Sequence, residues 1–309
     1  MTNNRIHYLE TEKHKADIHV EIKRPKGAGL LQFGFSVMQK IAPKWSAEKA
    51  FSLFITPMRR AKHSFEDELL KEVIRHETIF DNKKIRVYEW KGGDKKAVLA
   101  HGWESRATAL RTVVPQLRER GFTVYAIDAP AHGESEGKQT NVIEYAHLIG
   151  QVAREFGGFD IAVAHSFGGL ALSYALVEIP GFMVPNVIMA GLPASTKLAL
   201  QGMYRFLHLE RPVQELIEKK IYESTNYSAD ELSVAHLSTK FQNVNGLLFH
   251  DEKDNLVPLY TAIDSVNAWQ SSTLYVTHGL GHFRVIKSKE VLMTMFDWVD
   301  HHFSHPKAF

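Results

Sequence analysis

Asp160-Ile-Ala-Val-Ala-His-Ser-Phe-Gly-Gly-Leu-Ala171 passes from a strand-like apolar run directly into a helix-like one, with no residues left over for a loop. A serine at such a junction, here Ser166, sits in a sharp turn at the carboxyl edge of a sheet with its hydroxyl exposed. Small neighbours let the two backbones approach. The pattern expected there is Gly-x-Ser-x-Gly. Here it reads Ala164-His165-Ser166-Phe167-Gly168, with a methyl group where the first glycine would stand. The helix that follows turns its free N–H groups toward the serine and favours negative charge developing beside it.

Working outward from the elbow, strand-like and helix-like segments alternate. Residues 75–80 and 85–90 flank Asp81-Asn82 and read as a hairpin. Short apolar runs at 97–100, 123–127, 161–164, 187–190, 246–249 and 273–276 suit buried parallel strands. Between them lie helical stripes: Ala107, Leu110, Val114 and Leu117, then Ile143, Ala146, Ile149, Val152 and Phe156, then Val291, Leu292, Met295, Phe296 and Val299. This alternation predicts an α/β fold, a mostly parallel doubly wound sheet with helices on both faces.

Two regions fall outside the repeat. Residues 1–75 read as a helical N-terminal extension. One helix carries Leu30, Leu31, Phe33, Val37 and Ile41, a second runs over 47–55, and a third opens at a Ser64–Asp67 capping box and continues through Ile74. The apolar face of the first, in residues 28–42, is expected to pack against the rest of the chain, with a membrane surface or a dimer contact as the alternatives. The 54 residues 192–245 exceed what one crossover helix needs and read as a helical cap insertion in the 76–309 domain. Its Met203, Tyr204, Phe206, Tyr222 and Tyr227 are expected mostly to pack the cap.

A serine hydroxyl needs a base, and the base needs an orienting acid. On a sheet of this kind the acid and then the histidine follow the serine, at the ends of later strands. Gly246-Leu-Leu-Phe-His-Asp-Glu-Lys-Asp-Asn-Leu-Val-Pro258 offers Asp254, with Asp251 as the competing acid. Thr277-His-Gly-Leu-Gly-His-Phe283 offers His282, with His278 as the alternative. Two backbone N–H groups must hold the oxyanion. Phe167 follows the serine and supplies one. Trp103 supplies the other, in the loop of Val98-Leu-Ala-His-Gly-Trp-Glu-Ser-Arg106.

His-Gly-Trp, Asp128-Ala-Pro-Ala-His-Gly-Glu-Ser135, Ala-His-Ser-Phe-Gly-Gly, Asp-Asn-Leu-Val-Pro and Gly-Leu-Gly-His together resemble the α/β-hydrolase superfamily over residues 76–309. The first and last look like a bacterial subgroup with a helical N-terminal extension and a Thr-Pro-x-Arg stretch, here Thr56-Pro57-Met58-Arg59. Ala131 stands where many relatives have glycine. The resemblance implies a serine hydrolase, a carboxylesterase before a thioesterase, an amidase or an acyltransferase. A serine rather than an aspartate at the elbow disfavours dehalogenase and epoxide hydrolase chemistry. A hydrolase-like binding protein without catalysis is the alternative of another class.

Composition narrows the partners. The chain has 309 residues, a net charge of +2, 44% hydrophobic residues and no cysteine, so disulfides and thiolate chemistry are excluded. Lys and Arg are dispersed, which argues against nucleic acid. The N-terminal sequence lacks the layout of a secretory signal, and no apolar run is long enough to span a bilayer. The reading is a cytoplasmic protein acting on a small acyl substrate, with no cofactor, no metal and no stable membrane insertion. A homodimer stays open. His301, His302 and His305 near the C-terminus are expected to be a solvated helix end, not a metal site. Activity is expected to fall in acid as His282 protonates, around the ordinary histidine pKa of about 6.5.

Overall fold

The central strands are short runs of apolar residues buried on both faces, so neighbouring layers must cover each side of the sheet. The computed structural model describes residues 4–11, 27–58, 61 and 68–303. It begins with β1 (Ile6–Tyr8), α1 (Ala28–Ile41) and α2 (Pro43–Phe54). The hairpin β2 (Ile74–Phe80) and β3 (Lys83–Trp90) follows, then β4 (Lys95–Ala100), α3 (Val114–Glu119), β5 (Phe122–Ile127), α4 (Val142–Phe156) and β6 (Ile161–His165). Next come α5 (Phe167–Glu178), β7 (Asn186–Ala190), α6 (Thr196–Leu207), α7 (Arg211–Thr225), α8 (Val234–Ser238) and β8 (Asn245–Asp251). The chain finishes through α9 (Leu259–Ala268), β9 (Ser272–Thr277), α10 (Gly281–Arg284) and α11 (Lys289–Phe303).

The nine strands form one sheet in the order β1-β9-β8-β7-β6-β4-β5-β3-β2. All neighbours are parallel except β2 with β3 and β3 with β5. Alternation along β4 sends Val98 and Ala100 into the core under α4, α5 and α9. Ala97 and Leu99 enter the core under α3 and α11. β4 lies between β5 and β6, so the chain leaves it toward one side of the sheet and returns on the other. Connections diverging to opposite faces leave a crevice at the carboxyl ends of β4 and β6.

Most helix ends follow local chemistry. Asn141 caps α4, its side-chain oxygen accepting from Glu144 N at 2.9 Å, and Gly157 closes that helix with a φ of 84°. Ser195 caps α6 through Leu198 N at 3.2 Å. The helices α6–α8 occupy the stretch between β7 and β8, and α1 and α2 pack against α6 and α7.

The N-terminal stretch departs from an all-helical extension. Residues 6–8 form an edge strand parallel to β9, too short to leave a period in the sequence. It is secured by Arg5, whose guanidinium donates to the carbonyls of Trp269, Gln270 and Ser272 at 2.7, 3.1 and 3.2 Å. The strand also covers the β9 edge, which would otherwise lie open. The expected third helix does not reach Ile74: Glu68–Leu70 is a single 3-10 turn, and Ile74 opens β2. Its Ser64–Asp67 cap, Arg59 and His305 lie outside the described residues. The stripe at 107–117 begins as 3-10 helix, Ala107–Val113, before α3. The apolar stripe of α1 points outward rather than inward: Leu30, Phe33 and Ile41 are 78%, 67% and 73% exposed, while Phe35 and Gln39 are buried. In the stretch between β7 and β8, Tyr204 and Tyr227 are buried, whereas Phe206 and Tyr222 are exposed. Among the described residues no helix is long and apolar enough to cross a membrane.

Helix α5 is buried over Gly168–Ala175 and needs backbone contact with β4 at its start. A Cβ on Gly168 would stand 2.3 Å from the Ala100 carbonyl oxygen and 2.6 Å from that of His101. Because both obstacles are backbone, Gly168→Ala must displace helix or strand, and overpacking of this kind costs about 3 kcal/mol. We expect a clearly lower thermal midpoint for that variant. An unchanged midpoint would show that the approach of α5 to β4 is not tight.

Candidate active site

The turn between β6 and α5 holds Ser166 at φ 49° and ψ −122°, a conformation that L-residues adopt only under constraint. Its N–H donates to the Gly191 carbonyl at 3.0 Å, which ties the turn to the end of β7. The side chain is left half-buried at the crevice.

Ser166 Oγ lies 2.9 Å from His282 Nε2, and His282 Nδ1 lies 2.6 Å from Asp254 Oδ2. The expected serine, histidine and acid are thus joined in one hydrogen-bonded chain, although 116 and 28 residues separate the successive partners. The second carboxylate oxygen of Asp254 accepts from Leu256 N and Val257 N at 2.8 and 2.9 Å. Burial alone would raise the pKa of Asp254. The bond from His282 and these two backbone donors outweigh it, so the carboxyl lies below its usual range.

The competing residues have other duties. Asp251 is fully buried at the tip of β8, and its oxygens accept from Lys253 N, Gly279 N, Leu280 N and Thr277 Oγ1 at 2.8–3.2 Å. It staples the two loops that carry Asp254 and His282. His278 is exposed and bonded to Glu252 at 2.5 Å. At the C-terminal helix, His302 donates from Nδ1 to the Trp298 carbonyl and lies against the Trp298 ring.

Trp103 lies in the loop after β4 and Phe167 at the first turn of α5, with their rings edge to face at 5.1 Å. Among the described residues neither backbone N–H has an acceptor. A Cβ on Gly102 would meet the His165 ring at 2.8 Å and Ser166 Cβ at 3.3 Å, so the loop runs hard against the elbow.

Sequence reading passed over the side chains that hold this loop. His132 Nε2 accepts from Glu104 N at 2.9 Å, while its Nδ1–H donates to the Pro130 carbonyl. His101 Nε2 accepts from Ala129 N at 3.1 Å, and its Nδ1–H donates to the Gly102 carbonyl at 2.7 Å. Asp128 is fully buried and accepts from Ala107 N, Glu134 N and Tyr88 Oη. Met58 N donates to Glu104 Oε1 at 2.7 Å. The Thr-Pro-x-Arg and His-Gly-Trp-Glu-x-Arg stretches therefore meet in space. Asp128 and His132 lie in the Asp128-to-Ser135 motif and His101 and Glu104 in the His-Gly-Trp-Glu-x-Arg motif, and no local pattern records the bonds between them.

Two more histidines clip backbone around the site. His165 Nε2–H donates to the His282 carbonyl at 2.9 Å. His250 accepts from Leu192 N at Nδ1 and donates from Nε2 to Val257 O. Burial, assisted by the neighbouring His132, lowers the His101 pKa to about 3. Burial and the adjacent His282 lower that of His165 to about 4. Burial also lowers His250.

These neutral histidines link stability to pH. The unfolded chain takes up a proton at each near its ordinary pKa of about 6.5. The folded chain resists protonation of His101 and His165 down to about 3 and about 4. Stability is therefore undiminished by them above a pH of about 6.5. Below that it falls by roughly 1.4 kcal/mol per pH unit for each, because the unfolded state then binds more protons. Urea unfolding between about pH 6 and pH 4 should show this loss, and His165→Asn should flatten the slope by about one histidine's share. An identical slope in that variant would mean His165 is not held neutral.

The alpha/beta hydrolase family profile matches residues 97–292. A pyrethroid hydrolase of Sphingobium wenxiniae is 26% identical over 137 residues, 38% of this chain and 47% of that protein. An uncharacterized hydrolase, YugF, of Bacillus subtilis is 35% identical over 89 residues, 27% of this chain and 32% of that protein. The chain thus spans about half, or less, of the curated relatives it matches. Among solved structures, an esterase of Pyrococcus furiosus superimposes with a TM-score of 0.60 at 19% identity, covering 81% of this chain and 98% of that one. Est1E of Butyrivibrio proteoclasticus, with ferulic acid bound, superimposes at 0.58 with 16% identity, covering 74% and 97%. The sheet order, the elbow and a profile spanning β4 to the start of α11 agree: the chain belongs to the alpha/beta hydrolase family.

Proposed function

We propose that the chain is a serine hydrolase that cleaves an acyl bond, a carboxylic ester in the first instance, with Ser166, His282 and Asp254 as its triad. The observation that carries the reading is the unbroken chain from Ser166 Oγ through the His282 ring to Asp254, at 2.9 and 2.6 Å. We also propose residues 76–309 as the hydrolase domain, with residues 192–245 as its cap and residues 1–75 as the extension.

In the mechanism that follows, Ser166 Oγ bonds to the acyl carbon while its proton passes to His282 Nε2. Asp254 accepts the Nδ1–H, selects the tautomer with Nε2 free, and stabilises the imidazolium. Its lowered pKa keeps it ionised where the reaction needs it. The N–H groups of Trp103 and Phe167 receive the oxyanion. The carbon–oxygen bond to the leaving alcohol breaks as that oxygen takes the proton from Nε2, leaving an acyl-enzyme. Water then gives its proton to Nε2 and attacks the acyl carbon, and Ser166 departs with the proton as the carboxylic acid is released.

Hydrolysis of short nitrophenyl esters and labelling by a fluorophosphonate probe test the reading together. Ser166→Ala should lose the label and roughly ten-thousandfold or more in kcat. An unlabelled wild type, or undiminished turnover by the variant, would sink the assignment.

The Met58–Glu104–His132 connection holds Glu104, the residue after Trp103, from two sides. Glu104→Ala removes the side-chain acceptor and should lower kcat about tenfold, less than loss of a direct oxyanion donor. KM should change little, and Glu104→Gln, which still accepts from Met58, should restore most of the rate. Equal losses in both variants would mean that the charge matters and the hydrogen bond does not.

A further inference from the structure

Helix α1 is built inside out relative to an ordinary surface helix. At 3.6 residues per turn, Leu30, Phe33, Val37 and Ile41 fall within an arc of about 80°. They are 78%, 67%, 39% and 73% exposed. The opposite side holds Ala28, Gln32, Phe35 and Gln39 and packs on the cap. Gln32 donates to the Phe206 carbonyl at 2.7 Å, Gln39 donates to the His208 carbonyl at 3.1 Å, and Gln39 Oε1 accepts from Glu210 N at 2.8 Å. These bonds tie that side of the helix to the stretch between α6 and α7. A helix rotated to bury its aliphatic stripe would forfeit all three.

The stripe continues into α2 with Trp45, 48% exposed, and Lys49 lies over its ring at 5.6 Å. Lys40, Lys44 and Lys49 are all exposed around it. Residues 28–54 contain these three lysines and a single acidic residue, Glu48, which is held by Lys220 at 2.7 Å. An exposed contiguous apolar stripe marks a contact surface. Aliphatic residues, a tryptophan and long lysines bordering one helical face are what an interfacial helix uses on a negatively charged lipid surface, with the rings at headgroup depth and the ammonium groups among the phosphates.

We infer that the outward face of α1, with Trp45 and the lysines at 40, 44 and 49, docks the protein peripherally on an anionic lipid surface. The lysines favour this occupant over a second copy, since two such faces brought together would set like charges around an apolar seam. The contact is peripheral, since α1 has 14 residues, too few to span a bilayer. The inference stands apart from the hydrolase reading, and its test does not use the triad.

The intact protein is sedimented with vesicles of phosphatidylcholine alone and of phosphatidylcholine mixed with phosphatidylglycerol. Binding is expected to the mixed vesicles, weakening as salt rises. Each lysine near such a surface contributes about fivefold, so replacing all three by glutamine should reduce binding on the order of a hundredfold. Phe33→Gln with Ile41→Gln should abolish binding. Both positions are exposed, so the circular dichroism and thermal midpoint of the double variant should match those of wild type. No binding to mixed vesicles, or equal binding to both kinds, would overturn the inference. So would a concentration-dependent dimer in light scattering that the same double substitution dissolves.

Discussion

The first turn of α5 lies in backbone contact with the end of β4, and the rest of the site is arranged around that approach. Gly168 stands where any side chain would strike the Ala100 and His101 carbonyls. With the helix so close, β6 must turn into it without a loop, and Ser166 takes up a positive φ at the turn. The same approach sets the N–H of Phe167 beside the loop that carries Trp103. The proposed nucleophile and oxyanion donors are therefore consequences of one packing constraint, and strain at the serine is its local price.

Around this contact several histidines serve as structural clips. His101, His132 and His250 each accept one backbone N–H and donate to one carbonyl, which only a neutral ring can do. Protonation would remove the acceptor, and burial opposes it for His101 and His250. His282 is the ring whose second nitrogen faces a hydroxyl rather than a backbone amide. Environment, not residue type, separates the clips from the proposed base. A similar division holds for the two aspartates. Asp251 spends its oxygens on Lys253 and on the loop from Thr277 to Leu280, while Asp254 keeps one oxygen for His282.

How much of this could be read in the sequence depended on range. The strands from β2 to β9 were legible because each buried run is bounded by turns and alternates with a helical stripe. The serine, acid and histidine stood out by their order along the chain, yet order alone left Asp251 and His278 as rivals. Asp251 is distinguished by bonds to Gly279 and Leu280, nearly thirty residues away, and no local pattern records them. β1 was illegible because three residues carry no period. It exists because Arg5 and the open edge of β9 hold it there.

The orientation of α1 shows where hydrophobic patterning misleads. A helical stripe of Leu, Phe, Val and Ile is ordinarily the buried one, because removing it from water is the dominant gain. Here the opposite face turns inward, and two of its glutamines supply a donor or acceptor to three backbone groups at the turn between α6 and α7. Those groups end one helix and begin the next, where the backbone lacks partners of its own. The inward face of α1 thus combines buried Phe35 with polar ties to these helix ends. The apolar face left outside remains a standing demand for a partner, so the packing of α1 on α6 and the inferred contact surface are parts of the same problem.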